Sequence, residues 1–355
     1  MNNFTFEKTT TPKQKPDPDS LVFGQTFTDH MFIMEYHEGQ GWYDGRIVPY
    51  APLCLDPASV VFHYGQEMFE GLKAYKTAQG KIQLFRPEMN ARRTNQTNDR
   101  LCMPQIDEDL YVDAIKELVA VDADWIPEKE GTALYIRPFI IGTEPCLGVR
   151  ASKSYMFIVI LSPVGPYYKG GLAPTKLYVE DHFVRAAKGG TGEAKCGGNY
   201  ASGLKAQALA LEKGFEQILW LDGNERKYVE EIGTSNAFFI IDDEVITAPL
   251  DGTILPGITR DSVIHLLKDK GIKISERKIT IDEVFNAAKS GRLTEVFASG
   301  TAAVISPVGE LSYKGEEIVI HGGEIGPIAQ MLYDTLYGIQ TGHHPDPYGW
   351  TVGVK

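Results

Sequence analysis

The side chain in this sequence best set for covalent chemistry is Lys195, within Gly189-Gly-Thr-Gly-Glu-Ala-Lys-Cys-Gly-Gly-Asn-Tyr200. Glycines on both sides let the backbone turn sharply and come close to a bound molecule. A lysine held in such a loop can form a Schiff base with an aldehyde cofactor. On the glycines alone, a solvated loop lysine is the commoner reading. A Walker A loop is excluded, because Cys196 follows the lysine where Ser or Thr is required. The second candidate is Glu231, in Val229-Glu-Glu-Ile-Gly-Thr-Ser-Asn236. On an extended segment, Glu230 and Glu231 point to opposite faces, which predicts one in solvent and one turned inward. A buried carboxylate needs a partner, and a protonated pyridine nitrogen is one.

Three further features suit a phosphate. Arg86 ends an apolar run just before Pro87. In Leu255-Pro-Gly-Ile-Thr-Arg-Asp261, Ile258 and Thr259 open a helix whose free N–H groups favour an anion. Ser299-Gly-Thr-Ala302 is a turn of small residues with hydroxyl and amide donors. Each taken singly is an ordinary cap or turn; together they supply a cation, a helix N-terminus and a hydroxyl-rich turn.

These residues need a scaffold. Runs at 32–36, 60–64, 82–85, 132–141 and 154–161 read as strands. Helices are expected over 88–100 and 107–120, and residues 1–20 read as frayed. The second half predicts a helix over 199–213, a hairpin at Asp242-Asp243, helices from Thr259 and from the capping box Thr280-Ile-Asp-Glu283, and a last helix near 325–337. At 355 residues the chain exceeds one comfortable core. The Gly- and Pro-rich run Pro163–Pro174 divides it into an α+β domain over 1–163, a linker over 164–174 and a larger domain over 175–355.

A net charge of −12 disfavours a nucleic-acid surface. No CxxC or His/Cys spacing suggests a metal site, and none is expected. No apolar run approaches the ~20 residues of a membrane span, and the polar N-terminus has no signal-peptide core, so a soluble cytoplasmic protein is expected.

In their order along the chain, Phe69-Glu-Gly-Leu-Lys-Ala-Tyr75, Arg86-Pro87, Leu134-Tyr-Ile-Arg-Pro-Phe139, Lys195-Cys-Gly-Gly-Asn-Tyr200, Glu231-Ile-Gly-Thr-Ser-Asn236, Leu255–Arg260 and Ser299-Gly-Thr-Ala302 resemble the fold-type IV aminotransferases. Within that class they resemble the branched-chain amino acid aminotransferases. The resemblance implies a two-domain α+β fold of the D-amino acid aminotransferase type and pyridoxal 5'-phosphate as cofactor. It further implies a homodimer that builds each active site partly from the partner, and reversible amino transfer from leucine, isoleucine or valine to 2-oxoglutarate. By the same resemblance, Lys195 is the Schiff-base lysine and proton shuttle, and Glu231 pairs with the ring nitrogen. Tyr200 and Thr234 contact the cofactor ring region, while Arg86, Ile258, Thr259 and Thr301 hold its phosphate. Phe69, Tyr64, Tyr75, Tyr135 and Tyr167 form the aromatic wall of the side-chain pocket with Arg137, and Thr301 and Ala302 lie at the substrate carboxylate. Tyr135 and Arg137 share a strand face by alternation. No thiol pair follows the Gly-Thr-Ala turn, where some members carry one, so no thiol switch is expected there. The rivals are a D-amino acid aminotransferase or an aminodeoxychorismate lyase on the same fold, a thiol enzyme using Cys196, and a noncatalytic binding protein with His182 or His343-His344 at a metal site.

Overall fold

The computed structural model describes residues 4–166 and 172–355. Two compact units emerge: Met1–Lys169 with Lys195–Gly197 and Gly338–Lys355, and Gly170–Ala194 with Gly198–Tyr337. The segment that carries Lys195 and the C-terminal segment thus pack within the first unit, although both lie beyond the linker in sequence.

The first unit is built on a mostly antiparallel sheet. Its order is Thr5–Phe6, Gly41–Pro49, His30–His37, Ser154–Val164, Ala133–Gly142, Leu72–Lys76, Ile82–Phe85, Thr351–Val354. The short strand Glu67–Phe69 also pairs with Ala133–Gly142. One face alternates Phe32, Met34, Leu134, Ile136, Phe157, Val159 and Leu161 into a core. Helix Glu108–Val121 covers that core with Tyr111, Ala114, Ile115, Leu118 and Val119, an apolar stripe at helical spacing. Asp107 starts this helix by accepting the Leu110 N–H at 2.9 Å.

Helix Pro87–Arg100 has a different character. Its inward face is polar: Asn90, Arg93 and Thr97 are all buried. Asn90 and Arg93 meet Glu70, whose residue is completely buried. Arg93 grips Glu70 with both Nε (2.7 Å) and Nη2 (2.9 Å), and Asn90 Nδ2 adds a bond of 2.7 Å. Burial pushes the Glu70 carboxyl up, but Arg93 and its other partners outweigh this and hold it below the usual carboxylate range.

The second unit closes a six-stranded barrel. Val229–Ile232, Gln217–Leu221, Thr175–Glu180, Val304–Tyr313, Leu293–Gly300 and Ser235–Ile241 pair in that order, and Ser235–Ile241 returns to Val229–Ile232. Closure leaves these strands no free edge. The hairpin lies where Asp242 and Asp243 predict it, both with positive φ (50° and 62°), as a two-residue type I′ turn needs. Thr280 caps helix Ile281–Lys289 through the Glu283 N–H.

Several expectations need correction. Val60–Tyr64 is a short helix, not a strand, and it ends at Gly65 with φ 56°. Five apolar residues carry too little periodicity to decide, whereas the flanking Ser59 and Gly65 are helix signals. The helix expected over 199–213 is two, Gly197–Ala201 and Leu204–Glu212, broken at the Ser202-Gly203 pair. The N-terminal segment is not frayed from Phe4 onward. Thr5–Phe6 pairs with Arg46–Ile47, Phe4 packs edge-on against Phe32 at 4.8 Å, and the Thr9 N–H donates to His30 Nε2 at 3.0 Å.

Glu70→Gln leaves Arg93 buried without its counter-charge, and a loss of about 3–5 kcal/mol is expected in urea unfolding. Because the folded-state carboxyl is depressed, wild type loses this stabilisation only as pH falls through that lowered value. The variant's stability should lack that acid-side component; an equal acid dependence in both proteins contradicts the assignment.

Candidate active site

Lys195 is held by its backbone. Its N–H donates to Thr97 Oγ1 at 3.0 Å, and its carbonyl accepts the Phe69 N–H at 3.0 Å. Two residues on, the Gly197 N–H donates to the Glu67 carboxylate. Helix Pro87–Arg100 and strand Glu67–Phe69 thereby fix both main-chain polar groups of the lysine. The half-buried side chain places Nζ 5.0 Å from the centre of the Phe69 ring, and its charge also favours ionised Glu70.

Phe69, Tyr135 and Arg137 come together in the same unit. Arg137 Nη2 donates to the Tyr135 hydroxyl at 3.1 Å, and the guanidinium carbon lies 4.8 Å from the Phe69 ring centre and 5.3 Å from that of Tyr135. The Arg137 Nε is buried and has no hydrogen-bond partner in this arrangement. Gly71 makes the packing possible: a Cβ there would overlap the Tyr135 hydroxyl. Lys73 stands directly opposite Tyr135, and burial pulls its ammonium down to about 8. Tyr64 does not join this cluster. It is exposed on helix Val60–Tyr64, and its hydroxyl donates to the Leu147 carbonyl. Tyr75, an aromatic of the same motif, is buried and donates to Gln340 Oε1 at 3.0 Å. Tyr167 lies outside the described residues.

Arg86, also in the first unit, is buried in a left-handed conformation with φ 50°. Its N–H donates to the Trp350 carbonyl at 2.7 Å, and its guanidinium carbon lies 5.1 Å from the Trp350 ring centre. A non-glycine residue in this region costs ~1–3 kcal/mol and marks a place where the surroundings dictate the backbone.

In the second unit a cavity of about 180 Å³ is lined by Arg185, Tyr200, Trp220, Glu231, Thr234 and Leu255, among others. Glu231 Oε1 accepts the Leu255 N–H at 2.9 Å, and Arg185 Nε lies 3.2 Å from Oε2. Glu230 and Glu231 do face different surroundings, but neither is in solvent, with exposures of 6% and 3%. Every residue of Val229–Ile232 is buried within the barrel wall. Glu230 takes the Thr253 hydroxyl at 2.6 Å, and burial pushes its carboxyl up. Ile258 and Thr259 open helix Ile258–Asp269, both buried. Thr301 and Ala302 form the turn between Leu293–Gly300 and Val304–Tyr313, next to a Ser299 hydroxyl that is buried and has no hydrogen-bond partner in this arrangement. A buried carboxylate facing a cavity, a helix N-terminus and an orphaned hydroxyl are what a charged aromatic phosphate needs from a protein.

Glu67, Arg185 and Thr97 escaped the sequence reading. No pattern pairs Arg185 with Glu231 or Thr97 with Lys195, because both contacts are made only by tertiary folding. Cys196 is buried, and all four cysteines are free.

A family model described as amino-transferase class IV matches residues 67–311, and the chain belongs to that family. It is 61% identical over 348 residues to branched-chain-amino-acid aminotransferase 2 of Bacillus subtilis, covering 98% of this chain and 96% of that one. The fold is similar to the crystal structure of the Escherichia coli branched-chain amino acid aminotransferase, with a TM-score of 0.76 at 26% identity over 92% of this chain and 99% of that one. It is also similar to a second solved branched-chain amino acid aminotransferase, from T.th., complexed with N-(5'-phosphopyridoxyl)-L-glutamate. There the TM-score is 0.72 at 27% identity, over 91% of this chain and 98% of that one.

Gly71→Ala is expected to destabilise the protein by about 1–3 kcal/mol through overpacking against Tyr135. Adding Tyr135→Phe removes the overlapping oxygen, so the double variant should be more stable than the sum of the two losses. Additive losses in thermal unfolding would contradict the packing.

Proposed function

We propose that the protein is a pyridoxal-phosphate-dependent aminotransferase that reversibly moves the amino group of leucine, isoleucine or valine to 2-oxoglutarate. The observation that carries this reading is the clamped Lys195, with both backbone polar groups held, in a chain 61% identical to a branched-chain enzyme.

When bound, pyridoxal phosphate supplies the aldehyde that takes up the amino group and the ring that accepts the electron pair from the substrate Cα. Lys195 Nζ would hold the cofactor and would carry the proton away from the substrate Cα. Glu231, steadied by Arg185 and the Leu255 N–H, presents its charge to the ring nitrogen. Tyr200 and Thr234 line the same cavity and would contact the cofactor's ring region. Arg86, Thr301 and the helix start at Ile258 and Thr259 hold the phosphate. Thr301 and Ala302 bind the substrate carboxylate. Phe69 and Tyr135 would surround the substrate side chain, and Arg137 would take the γ-carboxylate of glutamate.

The active form proposed is a cytoplasmic homodimer. Phe62, Leu147 and Val149 are 60%, 65% and 83% exposed, and the Tyr64–Leu147 bond ties their two segments together. An apolar surface of this kind suits a second copy of the chain. Among the described residues, no helix is long and apolar enough to cross a membrane.

Purified protein should absorb in the visible, and leucine should shift the spectrum. Borohydride should label Lys195. Lys195→Ala should lower leucine–2-oxoglutarate turnover by about 10²–10⁴-fold or more; a variant with full turnover overturns the reading. Glu231→Gln should slow the proton transfer, read by single-turnover absorbance, more than it weakens cofactor binding. Equal losses in both count against its role.

A further inference from the structure

We propose that Thr97 and Glu67 are positioning residues for the Lys195 nitrogen: their side chains hold the tripeptide Lys195–Gly197 at both ends and so set the geometry of proton transfer. This assignment rests on the functional reading above and gives it two residues that the sequence motifs did not single out.

Helix spacing delivers the first side chain. Asn90, Arg93 and Thr97 fall on one face of helix Pro87–Arg100, and all three are buried. Asn90 and Arg93 bind Glu70, which fixes the rotation of the helix about its axis. One turn further on, Thr97 is 1% exposed, and its Oγ1 accepts the Lys195 N–H at 3.0 Å. Branching at Cβ restricts the χ1 angle of threonine, so the oxygen has few other places to go. Glu67 holds the other end. Its carboxylate accepts the Gly197 N–H, and such a charged acceptor binds more strongly than a neutral oxygen. Gly197 permits the approach, because a Cβ there would overlap the Glu67 carboxylate.

Local sequence cannot supply this restraint. Gly197 and Gly198 follow the lysine, and glycines allow many backbone conformations. The restraint comes from elsewhere in the first unit, which contains Thr97, Glu67, Phe69 and the tripeptide Lys195–Gly197. With the Phe69 N–H on the Lys195 carbonyl, the two side chains complete a set of three main-chain bonds on that tripeptide. Nζ sits at the end of a four-carbon stem, so a small rotation of the Lys195 backbone becomes a large shift of the nitrogen. A misplacement of about 1 Å costs on the order of 10²-fold in rate. Neither Thr97 nor Glu67 belongs to the groups assigned to substrate binding. Their loss is therefore felt in kcat and not in KM.

The test uses the holoenzyme, with rates counted per bound cofactor. Thr97→Val replaces the hydroxyl by a methyl group of similar shape. Its kcat with leucine should fall about a hundredfold, with KM little changed. Amide hydrogen exchange over residues 195–197, read by mass spectrometry, should quicken relative to helix Glu108–Val121 in the same unit. Thr97→Ser keeps the oxygen and should restore both readouts. Glu67→Leu tests the other end without touching the helix, so the proposal stays testable if Thr97→Val does not fold. It should lower kcat and quicken exchange in the same way, and Glu67→Gln, with a neutral oxygen, should fall between. Unchanged kcat in Glu67→Leu, a loss of kcat without faster exchange over 195–197, or failure of Thr97→Ser to restore a folded enzyme's rate overturns the proposal while the aminotransferase reading stands. Wild-type protein that takes no amino group from leucine overturns that reading and, with it, the role in proton transfer.

Discussion

A lysine side chain has a flexible four-carbon stem, so a lysine nitrogen used in covalent chemistry can be placed only if its backbone is immobile. The hydrogen bonds from Lys195 N–H to Thr97 and from Phe69 N–H to the Lys195 carbonyl provide that fixity. Much of the first unit serves this pair of bonds. Thr97 is set by helix Pro87–Arg100, and that helix is locked in turn by Arg93 and Asn90 on Glu70. Glu70 follows Phe69 directly in the chain, so the same short segment meets the lysine through its backbone and the helix through its side chain. A shift of the helix moves both anchors of the lysine at once.

Buried carboxylates recur at the places that matter, each with an arginine beside it. Glu70 has Arg93 in a two-pronged grip, and Glu231 has Arg185 at 3.2 Å. Such pairs do little for net stability compared with a hydrocarbon core, since both charges lose their water. They do fix orientation, and they make loss of one partner severe. Glu231 and Arg185 lie at a cavity, where fixed charge is of use to a ligand; Glu70 and Arg93 lie under the lysine segment, where it is of use to the scaffold. Glu230 has no such partner at both oxygens: one takes the Thr253 hydroxyl and the other is buried without a hydrogen bond in this arrangement. That difference explains why burial raises the Glu230 carboxyl while the Glu70 carboxyl stays low.

Elements with a local signal were legible in the sequence. Asp107 and Thr280 cap their helices as their positions imply, and Asp242-Asp243 turns the hairpin. Elements stabilised from afar were not. Strand Thr351–Val354 completes the first unit's sheet from the far end of the chain, and it has no turn or cap to announce it. The short helix Val60–Tyr64 shows the opposite failure: its apolar composition suggested a strand, and its flanking residues decided otherwise.

By itself the sequence determined the chemistry available: a lysine among glycines, a glutamate before a tight turn, a helix start suited to phosphate. Those are properties of residue type and near neighbours, and a linear string preserves them. Only the tertiary structure decided which groups stand against those residues. It gave Lys195 its two backbone anchors, Glu231 its arginine, and Arg137 its place against Phe69 and Tyr135. It also put Glu230 inside the barrel wall when alternation alone left one glutamate for solvent. The physical reason is that burial and charge pairing depend on distance in space, and closing a barrel or a sheet brings together residues that the chain keeps far apart.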